Sequence, residues 1–194
     1  MIYNNEFFFN FIKLINNVEV NKLDLLVDKI LKIKKNKGRI FFIGVGGSAA
    51  NCSHAVNDFR KICNIESYCP LDNISEITAR INDEGWDSSL SKSLEVSKLN
   101  KNDCLFVLSV GGGNIANKVS MNLVKSIDFA KKRKAAILGI TARDGGYAYK
   151  KSKYVIKLPN IKKEFITPFA ESMQSIILHY IVSHHKLKQN KTKW

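Results

Sequence analysis

The sequence predicts an α/β fold, a single domain built on a doubly wound parallel sheet flanked by helices. Three observations carry the prediction. Apolar runs at Ile40 to Gly44, Cys104 to Ser109, Ala136 to Thr141 and Tyr154 to Leu158 have the length and β-rich composition of buried parallel strands. The segments between them repeat apolar residues at helical spacing. Two of the runs feed Gly/Ser-rich loops, Gly44-Val-Gly-Gly-Ser48 and Ser109-Val-Gly-Gly-Gly-Asn114. A strand-to-helix junction of that kind presents backbone N–H groups to an anion, so two of them point to a small phosphorylated molecule held between strand ends.

In chain order, Asn5 to Asn16 places Phe7, Phe8, Phe11, Ile12 and Ile15 on one helical face, and Leu23 to Lys34 repeats the pattern with Leu25, Leu26, Ile30 and Ile33. The first helix carries more Phe than a peripheral helix needs, which suits burial against another subunit. After the first strand, a helix runs from about Ser48, its cap, to Cys63. A short strand is expected near Glu66 to Cys69 and a short helix over Asp72 to Arg80. Arg80 to Trp86 is predicted as a compact loop with Trp86 tucked under it, and Ser89 to Leu99 as a helix. Asn114 to Lys132 is predicted as a helix, Arg143 to Tyr147 as a turn, and Tyr149 to Lys151 as a brief helix. Pro159 to Pro168 reads as a connection, and the last helix runs from about Pro168 to His184.

The 194 residues fit one domain, residues 1–194, with an N-terminal helical segment (1–36) and a basic tail (187–194) expected to fray. No apolar stretch approaches the roughly 20 residues that span a bilayer, so a membrane is not expected as a partner. The N-terminus lacks the pattern of a secretory signal, which points to the cytoplasm. Four cysteines, Cys52, Cys63, Cys69 and Cys104, show neither a CxxC pair nor zinc-finger spacing and read as reduced thiols. The net charge of +14 raises nucleic acid as a partner. The basic residues instead cluster near helix ends and in the tail, without interleaved aromatics or a nucleic-acid-binding motif, so nucleic acid is not expected.

Chemistry concentrates on two helices. His54 and Asp58, four residues apart, share a face of the helix after the first loop. Glu171 and His179, eight residues apart, share a face of the otherwise apolar last helix. Two imidazoles and two carboxylates converging from two helices would make a divalent metal site or a general acid/base set. Asn82 and Asp83 offer polar groups to a sugar's hydroxyls.

The succession Gly-x-Gly-Gly-Ser, His-x-x-x-acid, Asn-Asp-x-Gly-aromatic, a Ser/Gly-rich loop, an Arg-Asp-Gly-Gly turn and a C-terminal helix ending in His resembles the sugar isomerase (SIS) domain, and within it the phosphoheptose isomerase group. The resemblance covers nearly the whole chain and implies a flavodoxin-like sheet whose two leading helices serve oligomerisation. It implies an isomerase that interconverts sedoheptulose 7-phosphate and a heptose 7-phosphate, working as a homotetramer with sites at subunit interfaces. By position, Val45, Gly46, Gly47 and Ser48 would meet substrate, as would Asn82 and Asp83. The phosphate loop falls at Ser109, Val110, Gly111, Gly112 and Asn114, where three hydroxyl residues of the family pattern are replaced. The metal ligands would be His54, Asp58, Glu171 and His179, with Asp58 in place of Glu and Glu171 in place of Gln. That donor set suits zinc. Asp58 or Glu171 would move the proton between carbons, and His179 would serve the carbonyl oxygen. The loss of loop hydroxyls also raises a non-catalytic SIS module that binds a sugar phosphate or a protein partner.

Overall fold

A computed structural model describes residues 3–191, with side chains from residue 4 onward. Five strands, β1 (Ile40–Ile43), β2 (Ser67–Tyr68), β3 (Cys104–Ser109), β4 (Ala136–Thr141) and β5 (Val155–Lys157), form one parallel sheet in the order β2-β1-β3-β4-β5. This is the flavodoxin-like order that the resemblance implies. The chain reverses its direction across the sheet between β1 and β3, and ligands in such sheets bind at the carboxyl ends beside that switch point. Both Gly-rich loops leave the sheet there.

Every residue of β1 and β3 is buried, because helices cover both faces. Successive strand residues point to opposite sides and so build two cores. Ile40, Phe42, Phe106, Leu108 and Ile140 pack with α2 (Val20–Lys35), α3 (Gly47–Lys61) and α8 (Ile166–Ser183). Phe41, Ile43, Leu105, Val107 and Ile137 pack with α4 (Ile74–Glu84), α5 (Trp86–Val96), α6 (Met121–Lys132) and α7 (Gly146–Lys151). Each such side chain contributes about 1.5–3 kcal/mol on burial. At the opposite, amino end of the sheet, Arg39 donates from Nε to Asp103 Oδ1 at 3.2 Å and from a terminal nitrogen to Oδ2 at 2.8 Å, pinning the starts of the adjacent strands β1 and β3.

The leading helix α1 (Tyr3–Asn16) packs Phe7 and Phe11 against Phe169 with ring centroids 4.6 and 5.2 Å apart. Its other side leaves Phe8, Phe9, Ile12 and Ile15 exposed. The basic clusters sit in the last turns of α2, α6 and α7, where they oppose the helix dipoles. Among the described residues no helix is long and apolar enough to cross a membrane.

Several expected boundaries are corrected. Residues 80–86 are not a loop: α4 continues to Glu84, because Arg80 bridges Glu76 and Glu84 along the helix. Gly85, at φ 81°, ends the helix, and α5 starts at once with Trp86, which is 40% exposed and not tucked under anything. Asn114 does not open a helix. It pairs in antiparallel fashion with Val119, closing a small loop, and α6 begins only at Met121. α7 begins at Gly146 rather than Tyr149, and a 3-10 turn at Lys163–Phe165 leads into α8 two residues before Pro168. The tail is anchored as far as Asn190: Leu187 is fully buried, and the N–H groups of Gln189 and Asn190 donate to the Ile62 carbonyl. Residues 192–194 of the expected tail lie outside the described residues.

Candidate active site

α3 and α8 lie side by side on one face of the sheet and run in the same direction. Asn51 marks the seam: its amide donates to the Glu171 carbonyl at 2.8 Å and to Gln174 Oε1 at 3.2 Å. Further along, Cys63 on the exit of α3 reaches the Val182 carbonyl. Between these fixings three chemical groups meet. His54 Nε2 lies 3.0 Å from Asp58 Oδ2 and 3.1 Å from His179 Nε2, and His179 Nε2 lies 3.5 Å from the same carboxylate oxygen. Asp58 is buried, whereas the two imidazoles are about half exposed. The second Asp58 oxygen accepts from the Asn57 amide at 3.0 Å, so the carboxylate divides its two oxygens between Asn57 and the histidines.

These separations test whether an ion fits. Zinc with N and O ligands at about 2.0–2.2 Å in a tetrahedron sets its ligand atoms about 3.3–3.6 Å apart. The three observed edges, 3.0, 3.1 and 3.5 Å, lie at or just below that spacing. Two ring nitrogens and a carboxylate oxygen this close place lone pairs toward one another, and one proton can bridge only one pair. A cation satisfies all three. Among the described residues this is the one cluster of imidazole, carboxylate or thiol groups that could hold a metal ion. The exposed side of the histidines leaves a position open, as in metal sites that act on a substrate.

Glu171 is not gathered into that cluster. Its carboxylate rests on Gly47 at the start of α3, where a Cβ on Gly47 would lie 2.4 Å from Oε2 and 2.8 Å from Oε1. The reason is geometric. Eight helical residues return to the same face but advance about 12 Å along the axis. Glu171 therefore meets the first turn of α3, and His179 meets the turn bearing His54.

The first loop keeps an open mouth: Gly46, at φ 64°, faces empty space, and Val45 is 40% exposed. Ser48 does not cap α3 as expected. The cap position falls on Gly46 without a side-chain bond, and the buried Ser48 hydroxyl has no partner among the described residues.

The second loop is tied to the next turn of the chain. The Gly112 and Gly113 carbonyls accept from the N–H groups of Ala148 and Tyr147 at 2.9 and 2.8 Å. The Gly112 N–H is given to the Ser109 hydroxyl at 3.0 Å, and Val110 O accepts from Ala142 N at 3.0 Å. The N–H groups of Gly111 and Gly113 have no partner among the described residues, and Gly111 borders open space. Asn114 spends its N–H on Val119 and its side-chain oxygen on Asn117. Asn82 and Asp83 are exposed on α4, bonded to each other at 2.8 Å and to neither loop.

Sequence reasoning missed Asn51, Asn57 and Gln174. Asn51 lies four residues after Gly47 and three before His54, so a helical-face reading of α3 could have found it. All four cysteines are free and buried. Burial pushes the thiols of Cys52 and Cys104 up, and that of Cys63 up to about 11, which keeps these three out of nucleophilic chemistry.

The sequence model of the SIS domain matches residues 6–142. The chain belongs to the SIS domain family. Its relatives within the family include the lincomycin biosynthesis protein LmbN of Streptomyces lincolnensis, 30% identical over 154 residues. That match covers 76% of this chain and 56% of LmbN, so the chain spans little more than half of that relative. The phosphoheptose isomerase of Aneurinibacillus thermoaerophilus is 26% identical over 164 residues, covering 82% of this chain and 77% of that protein. The structure of a phosphoheptose isomerase from Francisella tularensis superposes with a TM-score of 0.77 at 16% identity, over 93% of this chain and 92% of that one, and shares the SIS fold. Within the SIS family the similarity is thus to the phosphoheptose isomerases, as the motifs suggested.

Proposed function

We propose that this SIS domain is a sugar-phosphate isomerase that interconverts a seven-carbon ketose phosphate, sedoheptulose 7-phosphate or a close relative, with its aldose. The observation that carries the proposal is the separation of two functions at the sheet's switch point. Two imidazoles and one carboxylate converge within 3.5 Å of one another, while a second carboxylate stands apart on the first loop. A reaction through an enediolate needs both, a centre for charge developing on oxygen and a free base at carbon.

His54, Asp58 and His179 would hold a divalent ion, zinc by donor type, and when bound the ion supplies a Lewis acid for the carbonyl oxygen. Asp58, committed to that cluster, leaves Glu171 as the carboxylate free to take the proton from one carbon and return it to its neighbour. The unpartnered N–H groups of Gly111 and Gly113, with the Ser109 hydroxyl, receive the phosphate in place of the missing side-chain hydroxyls. Val45, Gly46, Gly47 and Ser48 border the reacting end, and Asn114 holds the edge of the phosphate loop. Asn82 and Asp83 would reach sugar hydroxyls only if substrate spans from the loops to α4. The exposed Phe8, Phe9 and Ile12 suit a homotetramer that buries α1 and brings sites to subunit interfaces.

Conversion of sedoheptulose 7-phosphate to aldose, followed with zinc and with chelator, tests the proposal. Turnover that chelator abolishes and His179→Ala removes is expected. Absence of turnover at high enzyme concentration with zinc present would sink the isomerase and favour a non-catalytic sugar-phosphate module, to which the glycine-rich second loop is suited.

A further inference from the structure

We infer that Glu171 sets the polarity of the bound sugar and restricts the site to molecules whose reacting end carries no negative charge. The inference rests on the sugar-phosphate reading and adds a selection rule to it. α3 has 15 residues, and its first turn offers the N–H groups of Gly47 and Ser48, neither of which has a backbone partner. The fully buried Ser48 hydroxyl of the same turn is also unpartnered. Such a turn attracts anions. Here the chain supplies its own: the three atoms nearest to a Cβ built on Gly47 are all of the Glu171 carboxyl group. Its backbone cannot drift away, because Asn51 ties the Glu171 carbonyl and the fully buried Gln174 to α3.

The second loop is different. Its free N–H groups, on Gly111 and Gly113, have one carboxylate nearby, that of Asp144, whose Oδ1 already accepts from Gly146 N at 3.2 Å. A depression of about 270 Å³ beside it is lined by Gly113, Asn114, Asp144, Tyr147 and Lys150 among others, so the Lys150 ammonium offsets the Asp144 charge there, whereas the first loop presents the Glu171 carboxylate. A phosphate is therefore welcome at the second loop and repelled at the first. The sugar lies with its phosphate toward Gly111 and its carbonyl toward Glu171. In the metal-free protein, sugars bearing a second anion at the carbonyl end, such as bisphosphates and aldonates, are disfavoured by like charge.

The test compares two non-reacting ligands of equal length, D-glucitol 6-phosphate and D-gluconate 6-phosphate, which differ only in a CH2OH or a carboxylate opposite the phosphate. Calorimetry on the full chain with chelator present measures both affinities. The wild type should favour the neutral-ended ligand about tenfold or more, from the repulsion of one nearby charge, and Glu171→Gln, which keeps the shape, should erase that preference. Equal binding of both ligands by the wild type overturns the inference and leaves the sugar-phosphate reading standing, as does a preference that persists in Glu171→Gln. Failure of both ligands to bind either protein defeats the sugar-phosphate reading itself, and the inference with it.

Discussion

Replacing Gly47 with Ala should separate stability from catalysis. Gly47 is not at positive φ, so Ala can adopt its backbone. The new Cβ would lie 2.4 Å from Glu171 Oε2, 2.5 Å from Cδ and 2.8 Å from Oε1, and ordinary contact begins at 3.4 Å. The carboxylate must then retreat by about 1 Å. It is the end of a flexible side chain, so the retreat costs about 0.5–1.5 kcal/mol of rotamer strain. Gly to Ala in a compatible conformation returns about 0.4–1 kcal/mol by restricting the unfolded chain. These terms nearly cancel, and the melting temperature should move by no more than about 2–4 °C, the shift expected for 1 kcal/mol in a chain of this size. A displacement of 1 Å at the base, in contrast, can cost about 100-fold in rate, or roughly 2.7 kcal/mol of barrier. Thermal melting and turnover of sedoheptulose 7-phosphate read the two effects. Wild-type activity in Gly47→Ala would refute the placement of Glu171 at the reacting carbon. A combined Gly47→Ala and Glu171→Asp protein, whose shorter side chain leaves room for the methyl, should lose less than the two changes multiplied.

Zinc at about 100 times its dissociation constant should stabilise the wild type by about 2.7 kcal/mol, a rise of roughly 5–11 °C in melting temperature. Asp58→Asn should remove that rise, and an equal rise in both proteins would place the ion elsewhere. Asn57→Ala, at an exposed position, should leave the melting temperature of the metal-free protein unchanged and weaken zinc about 10–100-fold in a chelator competition, because the second Asp58 oxygen loses its donor. Gly112→Ala should be severe. Gly112 sits at φ 68°, and its Cβ would lie 2.0 Å from the Gly145 carbonyl oxygen, so backbone must part. A loss of about 4 kcal/mol or more is expected, and melting within a few degrees of wild type would contradict the close packing of the second loop on α7.

The strands were readable because their burial is two-sided: Cys104–Ser109 and Ala136–Thr141 fall where the apolar runs lie. Fold class follows from that alternation, whereas the flavodoxin-like strand order was implied only by the resemblance to the SIS domain. His54 and Asp58 were readable because a four-residue spacing places two side chains together without tertiary information. The errors arose where particular pairings, some local and some distant, decide. Asn-Asp-Glu-Gly looks like a turn, yet the ion pairs of Arg80 carry α4 through it to Glu84. The start of α6 depends on Asn114 meeting Val119, a pairing with no local signature. Spacing places Glu171 and His179 on one face of α8 but not at one point, since the partner helix decides what each meets. The anchored tail depends on the Ile62 carbonyl, far away in sequence.

The partnership of α3 and α8 also fixes when in the life of the molecule its chemistry can begin. His54 and His179 are 125 residues apart, and α8 is the last helix described. A chain still being synthesised can lay down all five strands and both glycine loops before α8 emerges, and until then it holds His54 and Asp58 without their third partner or the carboxylate at Gly47. Closing so long a span is entropically costly and slow relative to local helix formation. An ion bridging the two helices would act as a clasp between early and late parts of the chain, favouring only molecules in which α8 has been made and has docked on α3.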